Sequence, residues 1–180
     1  HRIARRQRQM CIRDSVKFYK LAKKYNIKPI FGAKILFISP FSNGIAYPIT
    51  MLCLNNKGHA NLRKIISKTY QHRIDGENPV FRHEWLTKDL LSGIVLLSGG
   101  LQGEIGHYLS SNNDNSQKFL EWANDITANK FYISIARIGN EGENNYINAS
   151  YKFSLQHKVP LVAVNDVQFI KAEDITAHKA

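Results

Sequence analysis

Acidic residues are scarce in this chain of 180 residues: 14 Asp and Glu face 25 Lys and Arg, for a net charge of +11. Cysteine is scarcer, with Cys11 and Cys53 alone. Two thiols exclude a disulfide-rich scaffold and a cysteine-rich metal site, and they point to a reducing compartment, the cytosol. Long apolar runs are missing. GIVLLSGG (93–100) and VPLVAV (159–164) reach only strand length, so no segment is expected to cross a membrane. There is no repeat of fixed period and no low-complexity linker, so one domain is expected. What remains is 43% hydrophobic and 22% charged, the make-up of an ordinary folded domain with enough apolar material for one core.

The positive charge is uneven. Arg2, Arg5, Arg6, Arg8 and Arg13 against Asp14 place +4 of the +11 in residues 1–15. RQRQMCIRDS resembles the read-through translation of a transposase adaptor used in sequencing libraries, and it differs in composition from the Lys, Ile and Asn-rich chain that follows. Segment 1–15 is therefore set apart from the fold as non-native, and 16–180 is taken as the domain. Cys11 leaves with it, and Cys53 in PITMLCL is expected to be a buried, inert thiol. A first residue that is not Met and a last stretch, DITAHKA, that breaks off in a helical pattern suggest a piece of a longer protein.

Helical and strand patterns alternate from residue 16. Phe18, Leu21, Ala22 and Tyr25 share one helical face that closes at Asn26. A strand pair is expected in IKPIFG and KILFIS and a third strand in YPITMLCL, followed by a helix with Leu62, Ile65 and Ile66 on one side. HEWLTKDL, GIVLLSGG and GEIGHYLSS read as helix, strand, helix. NSQKFLEWANDI reads as a further helix. KFYISIA, ENNYINASYKFSLQ and PLVAV repeat strand, helix, strand. Short continuous apolar strands between helices predict parallel strands in an α/β architecture.

Four stretches carry more than periodicity: NIKPIFGAK, NNKGHANLRKIISKTYQ, GIVLLSGGLQGEIG and VPLVAVNDVQFIKAEDITAH. In this order and spacing they resemble the PHP (polymerase and histidinol phosphatase) domain of bacterial DNA polymerase III alpha subunits. The resemblance covers nearly all of 16–180. It implies a partial, distorted (β/α)7 barrel lacking its first strands, at the front of a cytoplasmic replicative polymerase that would itself use Mg²⁺.

An active PHP site gathers His, Asp, Glu and Cys ligands at barrel strand ends, where bridged divalent ions activate a water for phosphoester hydrolysis. By the same resemblance, the family's metal-binding pattern has a carboxylate where Lys34 stands, a Cys at Gly100 and a His at Gln168, whereas Asp166 matches. An ammonium has three donors and no lone pair for a cation. The resemblance therefore implies a degenerate site with no metal, catalytic or cofactor residue in this chain, in which Lys34 pairs with Asp166. The function implied is a structural module that docks the proofreading exonuclease and other replicase subunits and meets DNA through the parent polymerase. The alternative is a working metal-dependent phosphoesterase or 3′-5′ exonuclease.

Plain readings cover the rest. His59, His72, His83, His107 and His157 show no i, i+4 metal spacing and are expected at the surface or satisfied by one hydrogen bond, and His178 is expected to make a structural contact. Lys17, Lys20, Lys23 and Lys24 form a face that phosphates would suit, although solvation explains it equally. Trp85, Trp122 and the tyrosines are expected in the core. SGGLQGE lacks the Gly-Lys-Ser/Thr ending of a P-loop, so its glycines are read as a tight turn.

Overall fold

A computed structural model describes residues 15–73, 78–111 and 113–165 of the chain. The expectations for 1–14, Asp166, Gln168 and His178 fall outside the described residues. The chain divides into two compact units, His1–Phe31 and Gly32–Ala180.

In the first unit, residues 15–24 form helix α1. Asn26 adopts φ 56, which turns the chain out of the helix as its backbone N–H bonds Lys23 O at 3.1 Å and that of Ile27 bonds Ala22 O at 2.8 Å. The apolar stripe is there, but Phe18, Leu21 and Tyr25 are exposed and Ala22 alone is buried.

The second unit carries a six-stranded sheet, ordered β3-β1-β2-β4-β5-β6. Its strands are β1 (Gly32–Ile38), β2 (Tyr47–Cys53), β3 (Val80–Arg82), β4 (Ile94–Leu97), β5 (Phe131–Ile135) and β6 (Leu161–Ala163). The helices are α2 (Asn56–Gln71), α3 (Glu104–Ser110), α4 (Asn115–Thr127) and α5 (Glu143–His157). β1–β3, β4–β5 and β5–β6 pair in parallel, whereas β2 runs antiparallel to both neighbours. This is the mixed α/β architecture of a PHP barrel, with a sheet that does not close.

Three local expectations change. Residues 27–38 hold one strand rather than two, since Pro29 has no N–H to give a ladder and β1 begins only at Gly32. HEWLTKDL is a single 3-10 turn, His83–Trp85, because the Thr87 hydroxyl accepts from Leu90 N–H at 3.2 Å and holds the next residues in a turn. β3, three residues long, gives no periodic signal. α4 and α5 lie where the pattern placed them.

Alternation along the strands sorts the two sheet faces. Phe37, Met51, Leu96 and Ile133 are buried and join Leu62 and Ile65 of α2 and Phe119 and Ala123 of α4 in one core. Trp85 and Trp122 pack against it, as expected. On the other face stand Lys34, Thr50 and Leu97, consecutive across the β1, β2 and β4 register. Lys34 there is exposed and Thr50 half-buried.

α2 is fastened by its own first residues. Asn55 caps it by accepting from Gly58 N–H at 3.0 Å. Buried Asn61 donates to Asp89 O at 2.9 Å and Ser92 O at 3.1 Å, pinning the segment that leads into β4. Gly58 lies so close to Gly93 that a Cβ would stand 1.8 Å from its carbonyl oxygen.

Candidate functional site

Lys34 and Gly100, 66 positions apart in the chain, line one cleft of about 530 Å³ on the open sheet face. The strands explain the convergence. β1 and β4 flank β2, so Lys34 faces Thr50 and Thr50 faces Leu97, three residues before Gly100. Asn165, the last residue described before Asp166, also lines the cleft. Asp166 and Gln168 themselves lie outside the described residues.

Gly100 opens a 3-10 turn, Gly100–Gln102, with φ +68. A Cβ there would meet nothing closer than Ser134 O at 3.8 Å, so the position is open in space but set in a backbone conformation that L side chains rarely adopt. Ser134 is buried behind it. Its N–H donates to Ser98 Oγ at 3.0 Å, and the Tyr146 hydroxyl donates to its carbonyl at 2.8 Å. The wall of the cleft is thus a satisfied polar network.

The one carboxylate among the described lining residues is Glu143, at the start of α5. It accepts from Ile138 N–H at 3.1 and 3.0 Å and from Gly139 N–H at 3.0 Å. Burial pushes its carboxyl pKa up, but the backbone donors of Ile138, Gly139 and Asn140 and the Arg137 charge outweigh it and hold the group below its ordinary value. Glu143 therefore staples the loop 136–142 to α5. Lys34 has no ion-pair partner among the described residues, whereas Lys57 and Lys88 pair with Asp89 and Asp125 at 2.9 and 2.6 Å.

Glu104, which sequence reading passed over, follows the glycine turn directly. It is 3% exposed, and its Oε1 accepts from Ser39 Oγ at 2.5 Å and Tyr108 Oη at 2.7 Å. Its Oε2 meets no partner among the described residues. Tyr108 Oη also lies 2.9 Å from Phe41 O, so the cluster ties the loop after β1 to α3. Burial raises the Glu104 carboxyl above its ordinary 4.5, against the lowering effect of the two hydroxyl donors. Burial and then the Glu104 charge raise the Tyr47 phenol in turn. An acid in the first turn of a helix is ordinary, which is why the sequence gave no warning.

The linkage has a definite sign. Folded Glu104 keeps its proton at pH values where the unfolded chain has lost it, so its contribution to stability is complete below pH 4.5 and declines as pH rises through the raised folded value. One-sided acceptance at Oε1 suits the neutral acid, which Gln reproduces. We expect Glu104→Gln to gain stability relative to the parent chain as pH rises from 4.5 toward neutrality, read as the difference in Tm across that range. A pH-independent difference would show that Glu104 stays ionised in the fold.

The histidines do not gather. His72 stacks on Trp85 at 4.7 Å, His157 on Phe153 at 4.3 Å, and His107 lies 5.7 Å from Tyr47. Among the described residues no group of three or more His, Cys, Asp or Glu is placed to hold a metal ion. Cys53 is half-buried at the end of β2, and burial raises its thiol pKa. No helix among the described residues is long and apolar enough to cross a membrane.

The PHP domain family matches residues 5–137 of the chain. This protein belongs to the PHP domain family. The match takes in β1 to β5, with Lys34 and Gly100, and begins within segment 1–15. The PHP chain is also 33% identical to DNA polymerase III subunit alpha of Haemophilus influenzae over 91% of its length. It is 33% identical to that of Pseudomonas aeruginosa over 96%, and to that of Escherichia coli K12 over 91%. It spans 14–15% of the length of these relatives.

Proposed function

We propose that this chain is the PHP portion of a replicative DNA polymerase III alpha subunit, serving as a catalytically silent structural module. The observation that carries the reading is the cleft where Lys34 and Gly100 meet. The described lining pairs an ammonium with hydroxyls, amides and one carboxylate already committed to backbone N–H groups. These groups do not fit a centre of several divalent ions, which needs anionic donors to offset the repulsion between the cations. A lone Asp166 would hold one Mg²⁺ weakly through water and would not organise in-line attack. In the parent subunit, Mg²⁺ chemistry belongs to the polymerase site. The module's role is to stabilise that subunit in the cytoplasm and to present a docking face to the proofreading exonuclease and other replicase subunits, with DNA held by the polymerase.

The test is titration with Mn²⁺ and Zn²⁺, followed by hydrolysis of a 3′-labelled oligonucleotide, for this chain and for a subunit-length polypeptide in which polymerization is blocked. We expect no metal-dependent hydrolysis from the PHP portion in either. Turnover that needs metal and disappears on Asp166→Ala would establish the phosphoesterase alternative instead.

A further inference from the structure

We infer that the cleft binds an oxyanion of the phosphate class directly through Lys34, with no metal between them. The inference rests on the metal-silent reading proposed above and asks what the cleft takes in place of a cation.

Three observations lead there. Lys34 stands on the open sheet face, exposed and without an ion-pair partner among the described residues, in a cleft whose one described carboxylate is turned to its own loop. The side chains that remain are rich in donors: the Lys34 ammonium, the Thr50 hydroxyl and the amides of Gln102, Asn140 and Asn165. At Gly100 the missing side chain leaves bare backbone with open space above it, the first obstacle to a Cβ lying 3.8 Å away. A lysine ammonium meets phosphate as a point charge, with neutral donors completing the shell. A volume of about 530 Å³ also exceeds the needs of a bare ion, and Leu52, Leu101, Ile138 and Val164 supply apolar wall for an organic body. The competing arrangement is the Lys34–Asp166 ion pair expected from the sequence, which would neutralise the charge.

The experiment is calorimetric titration of the 180-residue chain in EDTA at constant ionic strength, with inorganic phosphate and with dAMP as probes. Saturable binding is expected, weakened by roughly tenfold to a hundredfold in Lys34→Gln. It should be retained in Lys34→Arg and unchanged in Lys64→Gln on α2. Lys34 is exposed, so these variants should fold, and equal Tm values verify that they do. Tighter binding of dAMP than of phosphate assigns the site to a phosphate monoester, and equal binding assigns it to the free ion; both support the inference. No saturable binding, or binding indifferent to Lys34→Gln, overturns it and leaves the metal-silent reading intact. Binding that appears only when Mn²⁺ replaces EDTA overturns both.

Discussion

Replacing Gly58 by alanine is expected to destabilise the protein, although Ala is the best helix former and Gly58 lies inside α2. Helix propensity alone predicts a gain of about 1 kcal/mol. The added Cβ would sit 1.8 Å from the Gly93 carbonyl oxygen and 2.5 Å from its carbonyl carbon, far inside van der Waals contact. The obstacle is backbone, so no side-chain rotation relieves it, and α2 must lift from the segment that enters β4. That movement strains the Asn55 cap and the two Asn61 hydrogen bonds together. Overpacking of this kind costs roughly 1–3 kcal/mol and more where backbone is the obstacle, so we expect a net loss of at least about 2 kcal/mol. Urea denaturation measures it. A variant as stable as the parent chain would mean that α2 and Gly93 do not approach this closely.

Asn61→Asp is expected to be costlier at neutral pH. Asn61 is 3% exposed and its amide nitrogen donates to two carbonyl oxygens, Asp89 O and Ser92 O. A carboxylate has no hydrogen to give, so the change removes both bonds and sets a buried negative charge against two carbonyl dipoles. An uncompensated buried charge typically costs about 3–5 kcal/mol, and Lys57 is already engaged by the Asp89 side chain at 2.9 Å. The introduced acid should have a raised folded pKa, so the variant should recover part of its stability as pH falls and the group protonates. Asn61→Leu, which adds no charge, should lose less and show no such recovery. Equal losses for the two variants at every pH would refute the charge argument.

Both residues belong to the NNKGHANL stretch, which sequence reading recognised as part of a family pattern without seeing its purpose. The cap, the close approach and the buried amide are three ways of pressing one helix against the segment 89–93. A family resemblance records that such residues recur together. It does not record which backbone oxygen each one meets, because those oxygens lie about thirty residues away in the chain.

The amino-acid sequence by itself determined the alternation of helices and strands, the mixed α/β class and the PHP family. These rest on local periodicity and on motifs that are each continuous in the chain. It also marked Lys34 and Gly100 as members of one site, which the cleft bears out. The tertiary structure alone decided that β2 runs antiparallel, since strand direction depends on which neighbour donates to which edge. It alone decided that Glu143 is spent on its own loop and that Glu104 is buried beside Ser39. A carboxylate's role depends on the donors around it, and donors brought from 65 residues away leave no trace in local sequence.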